Sequence, residues 1–330
     1  MSSFGAAAVT EPVLPGYECQ MNENAAAHSF EKLSSSATEL EELDSSRLAS
    51  LPSLFKEGVK VEQLCTSQSE SHSYRCTAAF QFISEGGQLQ YAMRNNFKPV
   101  SLNASLFPIA NLRIQAAMKL VLSHLNKTYA ENPSNSLVKN LTSCKFVTPW
   151  NQKQCLLTFS YGEQIENVEE FNALGSEMLT TCKLTSITGR PKGKEYILGV
   201  QPRVLSDEIF VGLNESVSVK YEKPEDAFQH PNETTMKKAL KWILEKMVVI
   251  SDSMMKVEGR KLKLLELYCG CGAHTVAIGK CSGETVFEKI VAVEIDQRLV
   301  DACVHNAELN GLAELISVMK ADAAQVAKNF

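Results

Sequence analysis

Three apolar runs late in the chain, at 264–267, 290–293 and 315–319, have the length and composition of buried strands. Apolar residues at helical spacing lie between the second and third runs, and Asn310-Gly311 follows them as a helix C-cap would. A further amphipathic stripe runs from Met236 to Met247. This alternation of strands and helices predicts an α/β fold with a Rossmann-like unit.

The earlier part of the chain has a different pattern, with short β-prone segments and two helical stretches. The predicted strands are Thr77–Ile83, Leu89–Met93, Cys155–Tyr161, Lys183–Thr188, Glu195–Val200 and Ser216–Val219, and the predicted helices are Leu112–Leu125 and Glu166–Thr180. These elements predict an α+β domain over 51–222 and a Rossmann-like domain over 223–330. The composition of residues 1–50, rich in alanine, serine and glutamate, predicts a mobile acidic tail with a short helix around 37–48.

The first apolar run of the Rossmann-like unit leads into a glycine turn, Tyr268-Cys269-Gly270-Cys271-Gly272. Glycine lets the backbone approach a nucleotide-like ligand, because a side chain would block the approach or forbid the dihedral angles. Glu294 ends the second run at a spacing that suits a carboxylate accepting hydrogen bonds from ribose hydroxyls. Tyr268 is placed either to pack beside the ligand or to fill the core at a strand end.

The spacing of the turn also bears on which nucleotide it binds. The dinucleotide fingerprint has a third glycine three residues after the second, where this chain has Thr275. The turn therefore disfavours NAD and FAD, and with them an oxidoreductase. Glu266 and Glu294 fit the less glycine-demanding loop of S-adenosylmethionine enzymes. Asp322 follows the third strand, where it reaches the base of the same ligand, caps a helix, or does both.

Charge is distributed unevenly along the chain. Residues 1–60 hold nine acidic and four basic side chains, a balance equal to the net charge of −5 of the whole chain, so residues 61–330 are neutral. A candidate RNA surface is the basic stretch opposed only by Glu195, namely Lys183, Arg190, Lys192, Lys194 and Arg203. A solvated loop has the same composition, and on charge alone it is the favoured interpretation.

Composition excludes several other classes. No uncharged apolar run reaches about eighteen residues, so the sequence predicts no membrane span. The ten cysteines follow no disulfide framework and the N-terminus has no secretion signal, which predicts a reducing compartment, the cytoplasm, with the nucleus or an organelle as alternatives. Cys269 and Cys271 lie inside the turn, with Cys281 nearby, and no second CxxC or CxxH supports them, so no metal is expected.

Several segments together resemble the tRNA uracil-5-methyltransferase family, a branch of the S-adenosylmethionine-dependent class I enzymes. The strongest are Phe228-Gln229-His230-Pro231-Asn232, Leu265 to Gly272, Val293-Glu294-Ile295, and Asn306 with Asn310. Looser agreement comes from Tyr74-Arg75 before Phe80, from Phe107-Pro108, and from Thr188-Gly189-Arg190. The resemblance covers residues 74–330.

The resemblance implies a two-part enzyme, expected to be a monomer, whose α+β domain binds the T-arm of tRNA. The resemblance implies that Tyr268 and Glu294 contact S-adenosylmethionine and that Gly270 and Gly272 form its turn, and the positions of His230 and Asp322 predict that they belong to the same site. The predicted RNA contacts are Arg75, Phe80 and Arg190 in the resembling segments, with Lys192 and Lys194 from the basic stretch. In the family's reaction a cysteine thiolate adds to carbon 6 of a uridine that has left its stack. Carbon 5 then takes the methyl group, and a carboxylate removes its proton.

The sequence also departs from the family pattern. His230 stands where the family has a cofactor-contacting glutamine, and Ala273 stands where bacterial members have asparagine. Near Arg75 the chain has Thr77 and Ala79 in place of an arginine and a glutamate.

The family's nucleophilic cysteine and its proton-abstracting glutamate come after the third Rossmann strand, and this sequence ends at Phe330. We therefore expect an incomplete class I methyltransferase domain that is truncated after its third strand and inactive alone. The alternative is a catalytically inactive RNA-binding or regulatory protein. An in-frame continuation beyond the Phe330 codon favours the first hypothesis, and a reproducible stop codon there contradicts it.

Overall fold

The computed structural model describes residues 70–95, 98–102, 107–200 and 204–327. The chain divides into two compact units, Met1–Ser67 with Met93–Val100, and Gln68–Ala92 with Ser101–Phe330. Every residue predicted to contact a cofactor or RNA belongs to the second unit. The predicted acidic tail and its helix around 37–48 lie outside the described residues.

The first sheet has seven strands among the described residues, in the order β3-β2-β1-β4-β5-β6-β7. Its strands are β1 (Thr77–Glu85), β2 (Gln88–Asn95), β3 (Lys98–Leu102), β4 (Leu141–Val147), β5 (Leu156–Tyr161), β6 (Ser186–Arg190) and β7 (Tyr196–Gly199), with helices α1 (Leu112–Glu131) and α2 (Val168–Thr181). β1 and β2 form the predicted hairpin, and β5 and β6 pair in parallel across α2. Fully buried side chains of the sheet and helices form the core, among them Tyr91, Phe146, Phe159, Phe171, Ile114 and Met118.

The predicted strand Lys183–Thr188 begins three residues late in the structure, at Ser186. Helix α2 ends at Thr181, and Lys183 has a left-handed backbone with φ of 54°. An extended strand cannot include that conformation, so the chain turns at Lys183 before it enters β6.

Strands β8 (Val204–Val211) and β9 (Val217–Pro224) form a separate antiparallel hairpin. The sequence pattern does not predict β8, although buried and less buried positions alternate along it. The reason is Asp207, which occupies an inward position between Leu205 and Ile209 and is itself buried. A buried carboxylate interrupts the apolar period on which a strand prediction depends.

The third sheet is the Rossmann-like unit. Its parallel strands are β10 (Leu262–Leu267), β11 (Phe287–Glu294) and β12 (Ile316–Lys320), in that order. The helices are α3 (Glu233–Glu258), α4 (Ala273–Val286), α5 (Gln297–Leu309) and α6 (Ala323–Val326). This architecture confirms the predicted α/β class. No helix within the described ranges is long and apolar enough to cross a membrane.

Candidate cofactor site

The glycine turn lies at the carboxyl end of β10. Tyr268, Gly270 and Gly272 have left-handed backbone there, with φ of 61°, 55° and 81°. Cys269 N–H donates to Val293 O at 3.0 Å, and Gly272 N–H donates to Cys269 O at 2.9 Å. A left-handed backbone costs an ordinary residue about 1 to 2 kcal/mol, which explains glycine at two of the three positions. The side chain of Tyr268 is 72% exposed, so it is not a core aromatic.

The two glycines of the turn have different surroundings. A Cβ on Gly272 would lie 2.6 Å from Cys303 Sγ on α5, whereas a Cβ on Gly270 would meet nothing within 4 Å. Gly272 is therefore required by the packing of the turn on α5. Gly270 leaves open space at the backbone, which is where a ligand can approach.

We expect Gly272→Ala to reduce stability more than Gly270→Ala. Both variants acquire the left-handed strain of about 1 to 2 kcal/mol. Only Gly272→Ala must also displace Cys303, which adds about 1 to 3 kcal/mol of overpacking. Urea unfolding of the two variants checks this difference, and equal losses of unfolding free energy would contradict the packing role of Gly272.

Glu294 is the last residue of β11, and its carboxylate holds the turn. Oε2 accepts a hydrogen bond from Gly270 N–H at 3.0 Å. Oε1 accepts from Ile295 N–H at 2.8 Å and from Asp296 N–H at 3.0 Å. A carboxylate has about four lone-pair sites, so these three bonds leave capacity for one more donor, such as a ribose hydroxyl.

Thr275 occupies the position at which a dinucleotide motif has its third glycine. Its side chain is fully buried, and its hydroxyl donates to Glu266 Oε2 at the end of β10. Oε1 of the same carboxylate lies 3.7 Å from His274 Nδ1. In dinucleotide sites a glycine at this position lets the helix pack closely against the strand. In this chain the threonine side chain occupies that space. This contact argues against NAD and FAD on physical grounds.

Asp322 directly follows Ala321 at the end of β12. Its side chain caps α6 by accepting a hydrogen bond from Ala324 N–H at 2.8 Å. Ala321 N–H donates to Glu294 O at 3.0 Å, which places this segment beside the end of β11. Because the three strands are parallel, Glu266, Glu294 and Asp322 share the carboxyl edge of the sheet, where open α/β folds bind their ligands.

His230 lies in the loop between β9 and α3. Its carbonyl accepts a hydrogen bond from Trp150 Nε1–H at 2.9 Å, and its ring Nδ1 lies 3.2 Å from the Asn232 backbone nitrogen. Burial lowers the pKa of His230; a hydrogen bond to Asn232 opposes this, and His274 lowers the pKa further. The ring is therefore mainly neutral at pH 7.

An ion-pair bridge connects this loop to α5. Arg298 lies 2.7 Å from Asp226 in the loop and 2.8 Å from Asp296, the N-cap of α5. The Arg298 guanidinium lowers the pKa of both carboxyls. Because the bridge is exposed, it contributes little to the free energy of unfolding, and its main effect is to hold the loop beside α5.

The residues implied to contact RNA are placed differently from one another. Phe80 is 3% exposed and its ring packs edge-on against Phe107 at 5.0 Å, so the contact implied at Phe80 is corrected to a core role. Arg75 is partly buried, and its Nε donates to Thr77 O at 2.9 Å. Neither position lies on the glycine turn.

The basic loop, defined as residues 190–195 from the last residue of β6 to the start of β7, is exposed except at Pro191. Arg190 pairs with Glu195 at 2.7 Å, so part of its charge is compensated. Lys192 and Lys194 extend the positive surface of the loop. Gln164 Nε2 donates to Lys192 O at 2.7 Å, which anchors the loop to the segment before α2.

The described part of the chain contains eight free cysteines, seven of them buried. Burial raises the pKa of Cys76 and of Cys271 to about 11, and a hydrogen bond with Cys303 together with burial raises that of Cys269. These thiols are protonated near neutral pH and are poor nucleophiles. Over the same described ranges, no group of three or more His, Cys, Asp or Glu side chains is arranged to hold a metal ion.

Asn306 and Asn310 have no predicted role beyond their part in the family resemblance. Asn306 lies on α5, Asn310 is the C-cap of that helix, and both are at most 5% exposed. In the sequence, the two asparagines could have been recognised as a pair because they are four residues apart and share a helix face with Val300, Cys303 and Ala307. A polar pair on a buried face must find partners, and the structure shows which ones it finds.

The parallel βαβ units, the glycine turn and the acidic strand ends are the architecture of the Rossmann-like α/β class. The family model described as tRNA (Uracil-5-)-methyltransferase matches residues 39–329. The chain belongs to that family.

Two bacterial relatives show the extent of the similarity. The tRNA/tmRNA (uracil-C(5))-methyltransferase of Pseudomonas fluorescens strain Pf0-1 is 30% identical over 245 residues, covering 74% of this chain and 60% of the relative. That of Stutzerimonas stutzeri strain A1501 is 31% identical over 245 residues, covering 74% and 59%. The chain therefore spans about three fifths of the length of these relatives.

A solved structure is similar in part. It is the Pyrococcus abyssi tRNA (uracil-54, C5)-methyltransferase in complex with S-adenosyl-L-homocysteine, with 14% identity and a TM-score of 0.48. The match covers 76% of this chain and 56% of that one.

Proposed function

We propose that this chain provides the S-adenosylmethionine-binding and RNA-binding parts of an enzyme that methylates carbon 5 of a uridine in tRNA, with a T-loop uridine as the target. The proposal includes a cytoplasmic location, which the free thiols support. The division into a tail over 1–50, an RNA-binding part over 51–222 and a cofactor part over 223–330 belongs to the same proposal.

The observation that carries the cofactor assignment is the carboxylate of Glu294 bonded to the backbone of Gly270. One group thereby fixes the turn and keeps acceptor capacity at the place where a ribose is expected. The proposal assigns Tyr268, Gly270, Gly272, His230 and Asp322 to the same cofactor site. When bound, S-adenosylmethionine supplies an electrophilic methyl group. The chain's own residues bind and orient it.

Isothermal titration with S-adenosylhomocysteine tests the cofactor part of the proposal. We expect saturable 1:1 binding to the 330-residue chain. A purified, folded chain that shows no binding would refute the assignment of the glycine turn.

A second assay concerns the reaction itself. We expect no transfer from labelled S-adenosylmethionine to unmodified tRNA by this chain alone, because the thiols beside the turn, Cys269 and Cys271, are buried and protonated. Turnover above background would show that a thiol of this chain acts as the nucleophile. The same thiol chemistry favours the second candidate function, an RNA-binding or regulatory protein without methylation activity, and turnover would exclude it.

The basic loop is expected to contribute to tRNA binding through phosphate contacts. The double substitution Lys192→Ala/Lys194→Ala should weaken binding of any tRNA and reduce the slope of log K against log salt by about one per lysine. Filter binding at several salt concentrations measures this slope. Lys119→Ala/Lys127→Ala on α1 removes the same charge from exposed positions elsewhere. An equal effect of both pairs would reject a specific role for the loop.

A further inference from the structure

Two asparagines attach helix α5 to strand β9. Asn306 Oδ1 accepts a hydrogen bond from Glu222 N–H at 2.7 Å, and Asn306 Nδ2 donates to Glu222 O at 2.9 Å. One helical turn later, Asn310 Oδ1 accepts from Lys220 N–H at 3.0 Å, and its Nδ2 donates to Lys220 O at 2.7 Å. The two amides thus bond to the edge of β9 as a neighbouring strand would.

The third hydrogen bond distinguishes the two asparagines. Asn306 Nδ2 also donates to Cys271 O at 2.9 Å, which is the carbonyl between the two glycines of the turn. Asn310 Nδ2 donates instead to Asn306 O at 2.7 Å, within its own helix. Asn306 is completely buried, and both of its N–H donors and its oxygen are used. No apolar residue can replace these three bonds.

A second contact from β9 reaches the same place. The hydroxyl of Tyr221, which lies between Lys220 and Glu222, donates to Ala273 O at 2.7 Å. Strand β9 is therefore connected to the carbonyls on both sides of Gly272, through Asn306 to Cys271 and through Tyr221 to Ala273. The bond to Cys271 O fixes the Cys271–Gly272 peptide plane, which is one of the two planes that set the left-handed conformation of Gly272, and the bond to Ala273 O holds the first residue of α4.

We infer that Asn306 is a positioning residue for the cofactor turn, and that it couples ligand binding at the turn to strand β9. This inference rests on the proposed function, since it takes the turn as the S-adenosylmethionine site. Asn306 does not contact the ligand in this scheme; it holds the Cys271–Gly272 peptide in the conformation that the ligand needs. Asn310 makes the same attachment to β9 without reaching the turn.

Asn306→Ala and Asn310→Ala form a matched pair for the test. Each removes the two bonds to β9, so both should lower the melting temperature by similar amounts. Only Asn306→Ala should weaken S-adenosylhomocysteine binding in calorimetry, by about tenfold for the lost bond to the turn. Equal affinity losses in the two variants, or an unchanged affinity in Asn306→Ala, would overturn the inference.

Hydrogen exchange in the unmodified chain gives a second readout that does not depend on the variants folding. The Glu222 amide is bonded to Asn306, and the Lys220 amide is bonded to Asn310. Adding S-adenosylhomocysteine should slow exchange of the Glu222 amide more than that of the Lys220 amide. Equal slowing would reject the coupling through Asn306. Failure of the unmodified chain to bind S-adenosylhomocysteine would instead refute the proposed function, and this inference with it.

Discussion

Glu294→Ala is expected to lower the affinity for S-adenosylhomocysteine by about ten- to 150-fold, the equivalent of a charge-assisted hydrogen bond of about 1.5 to 3 kcal/mol. The carboxylate is the proposed partner of the ribose hydroxyls. It also accepts the Gly270, Ile295 and Asp296 N–H groups, so its removal releases the turn as well as the ligand. Isothermal titration measures the effect directly.

The matched control for this variant is Glu288→Ala. Glu288 is an acidic residue on the same strand β11, exposed and paired with Lys263 at 3.2 Å. It lies at the opposite end of the strand from the turn, so its loss should leave the affinity unchanged. A folded Glu294→Ala protein with the affinity of the unmodified chain would contradict the assignment of Glu294.

Lys223→Met is expected to cost about 3 to 5 kcal/mol of unfolding free energy, the largest effect on stability that we anticipate. Lys223 and Asp207 are 5% and 4% exposed, and Lys223 Nζ lies 3.6 Å from Asp207 Oδ2. Asp207 also accepts the N–H groups of Trp150 at 2.7 Å and Asn151 at 2.9 Å. Removing the lysine leaves a buried carboxylate without its counter-charge.

The pKa shifts of this pair show why removing one partner lowers the free energy of unfolding. Burial raises the pKa of Asp207 and lowers that of Lys223, so desolvation outweighs their mutual attraction. Without Lys223, the pKa of Asp207 in the folded state should rise further above that of an unfolded aspartate, about 3.9. Stability is then lost as the pH rises through the folded pKa, and the deficit of Lys223→Met should shrink as the pH is lowered.

Urea unfolding at two pH values measures this deficit. Lys220→Met serves as a control, since it removes an exposed lysine from the same strand and should change stability by less than about 0.5 kcal/mol. The double variant Asp207→Asn/Lys223→Met removes both charges and should be more stable than Lys223→Met alone. A single variant as stable as the unmodified chain would show that the pair is not buried as the structure has it.

Much of the fold follows from local pattern. The hairpin of β1 and β2, helix α3 with its Asn232 cap, and the alternation of β10 to β12 with α4 and α5 all agree with the sequence prediction. Each depends on hydrophobic periodicity or on a capping residue, and both are readable over a few neighbouring residues. Strand β8 was not readable in this way, because the buried Asp207 has a partner, Lys223, sixteen positions away.

Sequence alone determined the glycine turn, the acid at the end of β11 and the resemblance to a family, because turn dihedrals and strand-end positions are local properties. Only the tertiary structure decided that Phe80 belongs to the core, that Tyr268 is exposed, and that the turn is held by Asn306 and Tyr221. Asn306 and Glu222 are 84 positions apart. A contact over such a distance depends on how whole elements pack, and no local pattern encodes that packing.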